Sequence, residues 1–248
     1  MLVRPFLRSR EIMRRVATAP LLPWMFAEFN PVGVDLDSLE SVAAYDRNQG
    51  TDPAADDVLL DRLDVTAGTV MVDLGTGTGS LPVQAALRGA EVHAVDVSSN
   101  MLSFASRRAD ASGVTVHTHH AGFLTYEHEG PKVDVITTRS ALHQLPDTWK
   151  QVALNRIAAM LRPGGRFYLW DAMWSFAAGE TMEQLPAWIS TMARSPQEGF
   201  TAEAFETHVR EEFSTYAWIL EGMVERAGLT ISEKAFPAPW YGEMLCSR

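Results

Sequence analysis

Cysteine is almost absent, since the 248 residues hold one, Cys246. A lone cysteine cannot close an intrachain disulfide or build a thiolate metal site, so a reducing, cytoplasmic setting is expected. No apolar run approaches the ~18 residues that a membrane-spanning helix needs, and a soluble chain with no membrane partner is expected. Positive charge is in deficit, with 21 Lys and Arg against 31 Asp and Glu and a net charge of −10. A body of that sign repels nucleic acid and anionic membranes. There is no internal repeat and no low-complexity stretch. No His, Asp and Glu cluster stands out at metal-ligand spacing, so no metal is predicted.

The one basic stretch is N-terminal, where Arg4, Arg8, Arg10, Arg14 and Arg15 face only Glu11. Pro20 and Pro23 interrupt it, and no apolar core with a small-residue cleavage site follows. A capping helix or arm is expected rather than a transit or interfacial segment. Residues 1–50 are assigned to this helical arm and residues 51–248 to the main domain. Whether the arm closes a site or makes a homodimer is left open.

What is present is an ordinary globular composition, 46% hydrophobic and 21% charged. After Asp52-Pro53 the chain alternates regularly. Thr69–Leu74, Glu91–Val97, Thr115–Ala121, Val133–Thr138 and Arg166–Asp171 read as strands. Helices are expected from Gly79–Ser80, from Ser98 or Ser99, and over Thr148–Leu161, where Arg162-Pro163-Gly164-Gly165 stops the last one. Such alternation predicts an α/β fold with a doubly wound, Rossmann-like, mostly parallel sheet. Leu229–Phe236 and Trp240–Leu245 read as a final hairpin that completes seven strands with an antiparallel one. Between them and strand five lies a helical insert, about residues 174–226, expected to act as a lid.

In such sheets ligands sit at the carboxyl ends of the strands, where the strand order reverses. Asp73-Leu74-Gly75-Thr76-Gly77-Thr78-Gly79 stands there, with glycines that let a ligand approach the main chain. The dinucleotide fingerprint would need glycine at position 80, which is Ser80. Asp73 beside the loop would repel a pyrophosphate and suits a ligand carrying ammonium and sulfonium groups. Asp96, about 20 residues past the loop, is placed to accept from ribose hydroxyls. S-adenosyl-L-methionine has all three features. Taken singly, Asp73 could cap a turn and Asp96 could be an acid favoured at a helix start.

With these segments, and with Ala94–Ser98, Gly122–Tyr126, Ala141–Asp147 and Leu161–Gly165 in order, the sequence resembles the class I S-adenosylmethionine-dependent methyltransferases. Within that superfamily it looks most like the small-molecule, YrrT-type bacterial branch. The resemblance covers Tyr45 to Asp171 best. It implies that Gly75 and Gly77 line the methionine portion, Asp96 the ribose, and Met101 an adenine face. It places the Gly122–Phe123 backbone at the adenine edge, the Arg139 carbonyl at the amino group, and Tyr45 at the methionine carboxylate. Thr76, Gly79 and Val97 complete the expected cofactor set. The sequence departs from the family at Ala121-Gly122-Phe123, where G-D-F is usual and the adenine-binding acid is missing. His119, His120 or a water are the candidate substitutes.

No N/D-P-P-Y/F motif follows the fourth strand, which argues against base amines and peptide amides as acceptors. A small-molecule methyl acceptor, methylated on O, N or S, is expected. His143 is the candidate general base, with a hydrogen-bonding role as the alternative. Asp171 either orients substrate or caps the following segment. Trp174, Phe176, Trp188, Phe200, Phe205, Phe213, Tyr216 and Trp218 exceed what anchoring needs and would furnish an apolar pocket. Trp174, Tyr216 and Tyr241 are taken as substrate contacts. Two other classes stay in view: an NAD(P)-binding oxidoreductase and a non-catalytic adenosylmethionine-binding module.

Overall fold

In the computed structural model, residues 23–29, 38–50 and 52–248 are described, and the stretch from Arg4 to Arg15 lies outside them. The apolar run before the glycine loop forms β1 (Val70–Leu74), buried from Met71 onward, as a strand between two helix layers must be. Helix α3 (Ser80–Leu87) follows, with Pro82 in its first turn, where no intrahelical N–H is lost. Then come β2 (Glu91–Asp96) and α4 (Ser99–Ala111), whose N-cap Ser98 accepts from the Met101 N–H. β3 (His117–His120) is shorter than expected and mostly exposed, being an edge strand. β4 (Val133–Arg139), α5 (Asp147–Met160) and β5 (Leu161–Trp174) complete the alternation.

Two boundaries differ from the sequence reading. Leu161–Gly165 already belongs to β5, because Leu161 pairs with Val133 and the register shifts before Arg166 meets Val135. The strand also runs past Asp171 to Trp174, where it pairs with the two-residue β6 (Thr215–Tyr216). The insert between them holds α6 (Thr181–Met192) and α7 (Ala202–Glu211). Helix α8 (Ala217–Arg226), β7 (Thr230–Ala238) and β8 (Tyr241–Ser247) close the chain.

The sheet order is β3-β2-β1-β4-β5-β8-β7, with β6 on the side of β5. β1 to β5 pair in parallel, and β8 is antiparallel to both neighbours. The sheet is therefore the expected seven-stranded path with one antiparallel strand. The winding reverses between β1 and β4, so the loops after those two strands flank the crevice where ligands bind.

One apolar cluster packs α5 and α8 on one face of the sheet, through Leu154, Ile157, Leu220 and Val224 against Ile136, Phe167 and Leu169. A second packs α2 (Pro53–Arg62) and α3 on the other, through Leu60, Leu63 and Leu81 against Met71, Val92 and Tyr168. An aromatic cluster of Trp174, Phe176, Trp188, Phe205 and Trp240 holds the insert to the rim. Helix α1 (Leu39–Gln49) is fastened over α4 by Arg108, whose guanidinium meets both Asp46 oxygens at 3.0 Å and donates to the Thr78 carbonyl.

Candidate active site

The loop after β1 turns at Gly75, whose φ is +70° and where a Cβ would lie 2.3 Å from the Ala141 Cβ. Only glycine lets the two crevice loops approach this closely. The Gly75 and Thr76 N–H groups donate to the Val95 carbonyl at 2.9 and 3.0 Å. Asp73 is buried behind this loop rather than facing the crevice. Its carboxylate accepts from Thr76 Oγ1 at 2.8 Å and from Thr137 Oγ1 at 2.5 Å. It thus fastens the loop to β4, and burial pushes its pKa up. Thr76 and Gly79 also stand off the crevice wall, Gly79 as the N-cap of α3.

Asp96, at the end of β2, does line the crevice. It accepts from the Gly77 N–H at 2.9 Å and from the Ser98 N–H at 2.8 Å, which fixes its orientation. Burial raises its pKa against the pull of those two bonds. The crevice opens into a cavity of about 790 Å³, within the range of small-ligand sites. Of the other residues expected around a cofactor, Tyr45, Gly75, Gly77, Val97, Met101, Gly122, Phe123 and Arg139 line it. Burial and nearby carboxylates push the Tyr45 hydroxyl up to about 12, so it is a proton donor at neutral pH. The Arg139 guanidinium turns away to Asp56 Oδ1 at 2.7 Å, and Ser80 Oγ donates to the other oxygen of the same carboxylate.

The acid absent from position 122 has a counterpart in space. Glu28 is 7% exposed and lines the cavity. Its carboxylate accepts from the Leu124 N–H at 2.9 Å and from Thr125 Oγ1 at 2.6 Å. A Cβ on Gly122 would lie 2.4 Å from Glu28 Oε2, so Gly122 leaves room for this side chain. Burial raises the Glu28 pKa, opposed by those hydrogen bonds. Of the substitutes expected from sequence, His120 binds the Val97 carbonyl and His119 pairs with His93.

The other end of the cavity is built by β4, β5 and the insert. His143 sits in a 3-10 turn (Leu142–Gln144) after β4. Its Nδ1 is bonded to Asp171 Oδ1, and Asp171 Oδ2 accepts from the His143 N–H at 3.0 Å. Asp171 itself is buried beneath His143 and off the cavity wall, so it positions the ring. On the cavity side His143 Nε2 lies 3.1 Å from Glu212 Oε2, which also contacts His208 Nδ1. Burial would lower the His143 pKa, yet the carboxylates of Asp171 and Glu212 outweigh it and lift it to about 10. Burial would raise that of Glu212, yet His143 and His208 hold it at about 2.

Tyr241 lines this chamber, its hydroxyl accepting from Trp188 Nε1 at 3.2 Å. Trp188, Phe200 and Phe205 line it too. Two expected substrate contacts do not. Trp174 is packed in the aromatic cluster behind the wall, because β5 continues beyond the rim. Tyr216 bonds Thr181 through its hydroxyl and stacks on Trp218, which is 67% exposed. Glu28, His208 and Glu212 went unrecognised in the sequence. The spacing of four between His208 and Glu212, which puts both on one helical face, was the available signal for two of them.

Residues 71–165 match the family described as a methyltransferase domain. An uncharacterized methyltransferase of Geobacillus kaustophilus is 29% identical over 131 residues, 53% of this chain and 60% of that relative. The chain thus spans less than two thirds of that relative's length. Among solved structures, phosphoethanolamine N-methyltransferase 2 of Haemonchus contortus, in complex with S-adenosyl-L-methionine, is similar at TM-score 0.60 and 22% identity. That likeness covers 82% of this chain and 44% of the other. A geranyl diphosphate methyltransferase in complex with the same compound is similar at TM-score 0.62 and 17% identity, covering 90% and 94%. The strand order and the crevice are thus of the fold seen in these methyltransferases, and residues 71–165, from β1 into the start of β5, match the methyltransferase domain family.

Proposed function

We propose that this chain moves a methyl group from S-adenosyl-L-methionine to an O, N or S atom of a small molecule held in the chamber beneath α6 and α7. The observation that carries the reading is one continuous cavity, with a nucleoside-type cradle at one end and a chamber of aromatic and titratable side chains at the other. The cradle fits the cofactor: Gly75 allows close backbone approach, Asp96 presents a carboxylate to ribose hydroxyls, and Val97 and Met101 flank the adenine position. Glu28 supplies the acceptor for the adenine amino group that Gly122 cannot. The bound cofactor supplies a methyl group activated by positive sulfur. The chain then has to align the acceptor and exclude water. Trp188, Phe205 and Tyr241 close the chamber, and Asp171 holds His143 at its wall. With Nδ1 on Asp171 and Nε2 on Glu212, His143 serves as an orienting group rather than a free base.

Calorimetry with S-adenosylhomocysteine and, separately, NADH tests the cradle. Saturable binding of the first and none of the second is expected; the reverse overturns the reading. Methyl-labelled cofactor offered with pooled small hydroxyl, amine and thiol acceptors tests transfer. Cofactor binding without transfer to any pool would favour a non-catalytic module.

A further inference from the structure

On the wall of the cavity built by the turn after β4 and by α7, three side chains converge that the methyl-transfer reading does not require together. His143 comes from the turn after β4, His208 from the last turn of α7, and Glu212 from the residue that caps it. The Phe213 N–H donates to the His143 carbonyl at 2.8 Å and joins the two elements at this point. One ligand atom from each of His143, His208 and Glu212 lies within 4.8 Å of the other two, and Glu212 Oε2 contacts both His143 Nε2 and His208 Nδ1. We propose that His143, His208 and Glu212 bind a divalent transition-metal cation of the zinc class, with its remaining coordination positions open to the cavity.

The outer atoms of the two imidazoles support this. His143 Nδ1 is held by Asp171, and His208 Nε2 is held by Ser214 Oγ at 2.7 Å. The Asp171 carboxylate can only accept, so Nδ1 of His143 keeps its proton and Nε2 is the nitrogen left for a metal. Ser214 Oγ can accept from His208 Nε2 and leave Nδ1 for the same role, the arrangement that orients histidine ligands around a metal. Two imidazoles and one carboxylate form a ligand set used by zinc and by non-haem iron, and nitrogen donors disfavour magnesium and calcium. Charge points the same way. The side chains of Asp171 and Glu212 are both buried, and among the described residues their ion-pair partners are histidines, with no Lys or Arg within ion-pair distance. Buried carboxylates require compensation, and a dication held by Glu212 and His143 Nε2, with Asp171 behind the ring, supplies it in place of the proton between His143 Nε2 and Glu212. Trp188 and Trp174 pack against His208 and keep the shell apolar.

The site stands independently of methyl transfer, and only its role would follow from it: the open positions would hold an anionic oxygen of the acceptor. The full chain, stripped with a chelator, is titrated with Zn²⁺ by calorimetry and with Co²⁺ by visible absorption. One Zn²⁺ per chain is expected, with Co²⁺ giving ligand-field bands. His208→Ala and Glu212→Gln should each weaken Zn²⁺ binding ~10-fold or more, and Ser214→Ala, which removes only an outer acceptor, should weaken it measurably. His119→Ala serves as a control, because His93, His117, His119 and His128 cluster elsewhere. Zn²⁺ binding lost in His119→Ala and kept in His208→Ala overturns the site, as does a wild-type chain that binds neither ion. If His208→Ala does not fold, the Ser214→Ala affinity and the wild-type Co²⁺ spectrum decide. S-adenosylhomocysteine affinity, measured on the metal-free chain, shows separately whether the cradle reading fails.

Discussion

Single carboxylates do different work here according to what surrounds them. Asp73 and Asp96 close consecutive strands, yet one is spent on two threonines and the other faces the cavity. Asp96→Ala is therefore expected to weaken S-adenosylhomocysteine binding by about 1–3 kcal/mol, the scale of hydrogen bonds to a charged acceptor. Calorimetry at unchanged temperature and salt measures it, and unaltered affinity would remove Asp96 from the ribose. Glu28 offers a sharper test because Gly122 and Glu28 compete for one volume. Glu28→Ala should cost about 1–2 kcal/mol of cofactor affinity. The double variant Glu28→Ala, Gly122→Asp puts a carboxylate back in the vacated space and should recover much of that loss. Equal affinities of the single and double variants would mean that the acid at this place does not read adenine.

At the level of elements, α1 and the α6–α7 insert both contribute walls to the crevice. Arg108 Nη2 donates to both Asp46 oxygens in a partly buried pair across α1 and α4. A double-mutant cycle with alanine at both positions should show a coupling of about 1 kcal/mol in denaturant unfolding, since partly shielded pairs exceed exposed ones. The insert rests on Trp188, 1% exposed and edge-on to Trp174, Phe205 and Tyr241. Trp188→Ala should destabilise the fold by about 3–5 kcal/mol, as loss of a large buried ring does. Calorimetric melting would register that loss. The strand boundaries show what periodicity can and cannot convey. An Arg-Pro-Gly-Gly run reads locally as a stop, and it does end α5. That the same residues begin β5 depends on Val133 lying opposite Leu161, a pairing between distant segments.

Over the whole molecule, the histidines of the β2–β3 edge set a pH dependence distinct from the active site. Burial, together with His93, His117 and His128 nearby, lowers the His119 pKa to about 4, and burial lowers that of His93. The unfolded chain then binds more protons than the folded one between about pH 4 and 6.5. This contribution is complete above about pH 6.5 and is lost as pH falls toward 4. The midpoint of urea unfolding should fall across that window, and His119→Asn should flatten the decline. Sequence alone determined the alternation of strands and helices, the glycine loop and the acid at the end of β2, because strand and helix periods and turn chemistry are local properties. It also carried the family resemblance, since the five segments keep their order along the chain. Tertiary structure alone decided that Asp73 faces inward and that Trp174 and Tyr216 lie off the chamber wall. It also brought Glu28 to Leu124 and Thr125, 96 and 97 residues away, and His143 to His208 and Glu212. Those meetings are set by how the strands order in the sheet and how the insert folds back over its rim, and no local pattern encodes them.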